Sequence, residues 1–188
     1  MIKRLLLFLT LVFTLFGCSA DLNEYSGQHP KFNLFEYFEG ETHAWGMVQD
    51  YTDKQTRRFS VILRGKIEGD VLTLDEDFIF ADGEKSKRIW VITRQPDGTY
   101  SGKADDIIGA AKGREVGNAL QWQYDFELEL DGSSVTVAFD DWLYRQDEKR
   151  VFNLTKIKKF GIEVGTITLF LKNSNNLSLS TCRLDFAF

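Results

Sequence analysis

Cysteine, proline and histidine occur only twice each in this 188-residue chain. Two cysteines make no disulfide framework, and with Cys18 expected to carry lipid, on the pattern of the segment before it, Cys182 is left without an intrachain partner. His29 and His43 have no cysteine near them, and no cluster shows metal-ligand spacing. So few prolines exclude a proline-rich scaffold, and 15 glycines without a repeat exclude a collagen-like one. Lysine and arginine form no stripe, and the net charge of −5 argues against a nucleic-acid partner. Ala110–Gly117 lacks the ending of a phosphate loop, and no Gly-x-Ser-x-Gly elbow occurs, so neither a cofactor nor an acyl-transfer nucleophile is expected. Asp75-Glu76-Asp77 followed by Asp82-Gly83-Glu84 suggests calcium, but its glycine has the wrong offset for an EF-hand; a solvated hairpin is expected there.

Long apolar runs are scarce as well. Leu5–Phe16 follows Lys3 and Arg4 and is broken only by Thr10 and Thr14, the pattern of an export signal. Its twelve residues are too few for a transmembrane helix, which needs about 17 to 25. It ends at Leu15-Phe16-Gly17-Cys18, which resembles the bacterial lipobox, so residues 1–17 are expected to be cleaved and Cys18 to carry covalent lipid such as palmitate. Several acyl chains on one cysteine anchor a protein stably. Ser19 stands where a sorting aspartate would retain a lipoprotein in the inner membrane, so a periplasm-facing place on the outer membrane is expected. Residues 18–31, polar and containing Gly27 and Pro30, are expected to form a flexible tether.

What is abundant is apolar and aromatic area, 43% and 14% of the residues, enough for one core. From Thr42 to about Lys172 short runs alternate with period two between turns at Glu68-Gly69-Asp70, Ala81-Asp82-Gly83, Pro96-Asp97-Gly98 and Asp131-Gly132-Ser133. In Gln121–Leu130 the even positions Trp122, Tyr124, Phe126, Leu128 and Leu130 make a dry face, while the odd positions are polar or acidic. Phe59, Val61 and Leu63, then Leu72, Leu74, Phe78 and Phe80, then Val135, Val137 and Phe139 repeat the phase. About ten strands with almost no helix leave exposed edges unless they close. The fold expected for residues 32–173 is therefore all-β: an antiparallel, up-and-down, lipocalin-like barrel. Asn33–Phe38 is expected as a short helix plugging one end, Ile107–Glu115 suits bulge or helix, and residues 174–188 read as a polar tail. An integral outer-membrane barrel is the rival architecture. Against it, the lysines of Val151–Phe160 would face lipid, at about 2 to 4 kcal/mol each.

Alternation puts Glu76 and Asp141 on apolar faces, where a carboxylate needs a partner or a shifted pKa. Arg58, Arg88 and Lys156 are candidate partners. The candidate ligand-binding set is Trp45, Arg58, Glu76, Arg88, Trp90, Trp122, Tyr124, Asp141 and Trp142; the same side chains suit plain core packing and internal ion pairs.

Ala44-Trp45-Gly46-Met47-Val48-Gln49-Asp50, Leu72-Thr73-Leu74-Asp75-Glu76, Asp82-Gly83-Glu84, Gly117-Asn118-Ala119 with Trp122, Asp140-Asp141-Trp142 and Lys159-Phe160-Gly161 together resemble a family of proteobacterial lipoproteins, domain-of-unknown-function family 3833. The resemblance runs from the tether to about Lys172. It implies an envelope lipoprotein and carries no assigned activity. The architecture is similar to that of lipocalins, but here glycine follows the tryptophan of the first strand instead of preceding it. The function expected is non-catalytic binding of a lipid, fatty acid or other amphipathic small molecule inside the barrel. A solid barrel that docks another envelope protein and a lipid-modifying enzyme using the inward carboxylates are the alternatives.

Overall fold

A computed structural model describes residues 20–130 and 133–174. Cys18, Cys182, the turn residues Asp131 and Gly132, and the expected tail from residue 175 onward lie outside the described residues. Ten antiparallel strands close into a barrel in which each pairs with its neighbours in sequence and the last returns to the first. They are β1 (Gly40–Asp50), β2 (Gln55–Glu68), β3 (Val71–Phe80), β4 (Lys85–Arg94), β5 (Tyr100–Lys103), β6 (Ile107–Val116), β7 (Ala119–Leu130), β8 (Ser133–Arg145), β9 (Arg150–Lys159) and β10 (Ile162–Asn173). Closure is a ladder from Thr42 opposite Asn173 to Asp50 opposite Gly165. No strand edge remains there for another chain to extend.

The Ile107–Glu115 segment is strand β6, interrupted by a register shift between Ile108 and Lys112, where Gly109 takes a φ of 75°. A bulge with a left-handed glycine accounts for its mixed pattern. β5 is the short element. It pairs with β4 only over Val91–Arg94 and with β6 only over Tyr100–Gly102. Lys85–Trp90 of β4 therefore have ladder partners on the β3 side only, and the wall is thinnest there.

The barrel has a closed end and an open one. The helix α1 (Leu34–Phe38) buries Leu34, Phe35, Tyr37 and Phe38 at the end where β6 meets β7. Asn33 caps it, accepting from the Glu36 amide at 3.2 Å, and the Glu115 carboxylate accepts from the Leu34 amide at 3.0 Å. These contacts satisfy amides that a helix N-terminus leaves without internal partners. Gly65 lets the Phe38 carbonyl approach so closely that a Cβ would stand 1.7 Å from its oxygen.

The segment before α1 is not the flexible tether its composition suggests. Leu22–Tyr25 is a 3-10 turn that buries Leu22 against Ala119 and Trp142, and Phe32 donates its amide to the Gly117 carbonyl at 2.7 Å. Leu22 and Tyr25 supply the apolar contacts that a run of polar neighbours conceals.

Candidate functional site

The inward faces of the strands enclose a cavity of about 580 Å³, within the range of small-molecule sites. It runs from α1, whose Leu34 and Phe38 form its floor, to the opposite end of the barrel. Along β3 the inward residues are Leu72, Leu74, Glu76, Phe78 and Phe80; along β7 they are Leu120, Trp122, Tyr124, Phe126 and Leu128. Each series passes from an apolar floor through a polar level to an apolar mouth. The other strands supply Arg88, Asp141, Asn153 and Thr155 at that middle level. A separate, open groove of about 710 Å³ lies on the outer wall among Gln95, Asp97, Lys112 and Arg114.

Two glycines set the width near the floor. A Cβ at Gly102 would lie 2.4 Å from the Trp122 ring and one at Gly113 only 2.2 Å from it. The indole occupies the space their side chains leave and meets Trp90 edge-on, with 5.6 Å between ring centroids. Trp90 also packs edge-on against Tyr124 at 5.3 Å, and Tyr124 stacks on Phe139 at 5.1 Å.

The polar level is rich in carboxyls. Glu76 lies opposite Arg88 in the β3–β4 register, but the Arg88 guanidinium is taken by Asp106, through Nε at 2.8 Å and Nη2 at 2.6 Å to one carboxylate oxygen. This pair crosses the thin part of the wall, and the guanidinium lies 5.2 Å from the Phe126 ring centroid. Burial opposes the charge on Arg88, but the Glu76 and Asp106 carboxyls beside it outweigh that, and the guanidinium stays charged. Glu76, 9% exposed, is pushed up to about 7 by burial, while Arg88 and a Trp90 hydrogen bond pull the other way. Burial likewise raises Asp141 to about 6 against hydrogen bonds from Thr155 and Asn153. Burial holds the Tyr124 hydroxyl well above the ordinary tyrosine range.

Six of the candidate residues, Glu76, Arg88, Trp90, Trp122, Tyr124 and Asp141, converge on this cavity. Three do not, and the pleat explains each. Ala44 faces inward, so Trp45 faces out, 50% exposed and stacked on Phe170. Asp141 faces inward, so Trp142 faces out and is buried beneath the Leu22–Tyr25 turn. Phe59 faces inward, so Arg58 is on the outer surface; Arg57 instead stands at the mouth, 3.6 Å over the Phe80 ring. Lys156 is also outside, 3.9 Å from Glu163. Asp106, Asn153 and Thr155 belong to the site without having been anticipated. The phase of Val151, Asn153 and Thr155 gives a retrospective clue to the last two, since all three are buried. Asp106 comes from a loop and left no pattern.

Comparison with curated proteins finds no match. The family model described as "Protein of unknown function (DUF3833)" matches residues 12–173, which takes in every strand of the barrel. The chain belongs to the DUF3833 family.

Proposed function

We propose that this protein holds an amphipathic small molecule, a lipid or lipid-like compound, inside its barrel without transforming it, and that lipid on Cys18 fixes it to the periplasmic face of the outer membrane. The cavity carries the reading: about 580 Å³ of space, sealed at one end by α1, walled by apolar side chains and crossed by a belt of polar groups at mid-depth. An apolar chain gains by leaving water for such walls, and a few placed polar groups orient its head. Support for the anchor is the run Leu5–Phe16 ending at Gly17-Cys18.

Native mass spectrometry of the full chain purified from cells tests the occupant, with a retained species of lipid mass at one per protein as the expected result. A protein that arrives empty and shows no change in tryptophan emission with any amphiphile of C12 to C18 chain length would leave the docking module in its place. Labelled palmitate tests the anchor: the native chain takes up label in cells and the Cys18→Ser chain does not.

A further inference from the structure

The cavity's own inventory of charge specifies the head group it takes, if it is the ligand site proposed above. Three cations line it, Arg57, Lys87 and Arg88, and each is already matched. Arg57 reaches Glu84 at 2.6 Å and Asp82 at 3.5 Å, Lys87 reaches Asp75 at 2.7 Å, and Arg88 is held by Asp106. Glu76 and Asp141, by contrast, form no ion pair with any described residue, although both line the cavity. Trp90 serves Glu76, while Thr155 and Asn153 serve Asp141, all three of them neutral; Arg88 acts on both carboxyls only from a distance, its own ion pair being with Asp106. Between them lies Tyr124, nine-tenths buried, whose hydroxyl has no hydrogen-bond partner among the described residues.

A carboxylate head entering this belt would meet Glu76 and Asp141, and the one cation at that level, Arg88, already has its charge matched by Asp106. A donor head meets the reverse. It finds two carboxyls facing the same space, each with acceptor capacity beyond its neutral partners, and a tyrosine oxygen able to accept. We infer that this cavity selects an amphiphile whose head donates hydrogen bonds and carries positive charge, a primary or secondary ammonium on an apolar chain, over one that ends in a free carboxylate. The inference rests on the cavity being a ligand site and adds the chemistry of the head. Deprotonation of Glu76 and Asp141 in the neutral range strengthens the pairing as pH rises from 5 to 8.

The test uses the full chain in a non-ionic amphipol at physiological salt, with the neutral probe N-phenyl-1-naphthylamine reporting occupancy through energy transfer from tryptophan. Dodecylamine, dodecanol and dodecanoate then compete for the probe. Dodecylamine should displace it at a concentration about tenfold or more below that of dodecanoate, the scale of one charge-assisted hydrogen bond. The alcohol should fall between them, and the amine's advantage should grow from pH 5 to pH 8. Glu76→Gln and Asp141→Asn should each shrink that advantage while the probe still binds. Dodecanoate competing as well as the amine overturns the inference, and so does an amine preference unchanged in both variants, which would mark attraction to the acidic exterior. A probe that does not bind at all counts against the cavity as a site, a separate failure.

Discussion

A carboxyl set among leucines and tryptophans keeps its proton to higher pH than one in water, and Glu76 shows what that costs the fold. Its folded pKa of about 7 lies above its unfolded value near 4.5, so its share of stability is complete below pH 4.5 and drains away as pH rises through 7. A shift of that size corresponds to something on the order of 3 kcal/mol. Glu76→Gln, which keeps the shape and drops the charge, should be more stable than the native chain by about 1 to 3 kcal/mol at pH 8 and nearly equal to it at pH 4.5. Urea unfolding at the two pH values reads the difference, and equal stabilities at pH 8 would refute it. Glu76 was legible because it interrupts an apolar series at the right spacing. The same spacing argued against Trp45, Arg58 and Trp142, whose neighbours Ala44, Phe59 and Asp141 carry the inward phase; aromatic or cationic character drew attention to Trp45 and Arg58 in place of their neighbours, and to Trp142 beside the inward Asp141. Asp106 was beyond reach, because its role depends on where a loop brings it across a gap between strands.

Among the elements, the strands were the most legible, since a wet and a dry face write their alternation directly into the chain. The N-terminal segment was the least. Its attachment depends on single contacts, and the strongest centre on Arg145, a buried side chain at the end of β8. Nη1 donates to the Lys31 carbonyl at 2.9 Å and Nε to the Asp147 carbonyl at 3.2 Å, while Nη2 lies 3.4 Å from both Glu36 and Glu148. One guanidinium thus joins the segment entering α1, α1 itself and the β8–β9 turn. Arg145→Ala should cost about 2 to 4 kcal/mol, because partly buried carbonyls lose their donor along with the ion pairs of a buried guanidinium. Hydrogen exchange should then show earlier opening of Leu22–Phe38 than of the β7–β8 ladder. A loss of stability below half a kcal/mol, with unchanged exchange, would mean that the apolar plug alone holds this end.

At the scale of the whole molecule, closure is the property the sequence implied most indirectly, through the number of hairpins and the want of anything to cover an edge. The ladder from Thr42 to Asp50 against β10 supplies it, leaving the two ends of the barrel as the places where structure can differ. They differ in what they carry. At the end away from α1, Tyr51 and Phe160 stand 81% and 95% exposed on neighbouring hairpins. The chain before Leu22 joins the barrel on the other side, beside Gly117 and Tyr144. From Cys18 to Leu22 is four residue steps, a leash of at most about 14 Å. Strands of the length of β7 make a wall on the order of 30 Å tall. If Cys18 is acylated as proposed, it would hold the protein as a cup is held by its base, with the lip well out of reach of the leaflet that anchors it. A spin label at Tyr51 should be shielded from lipid-soluble relaxation agents, and one at Glu24 should feel them; the opposite order would turn the cup over. Filling and emptying would then take place across water or against another protein, and the membrane that carries the cup would not be the one it drinks from.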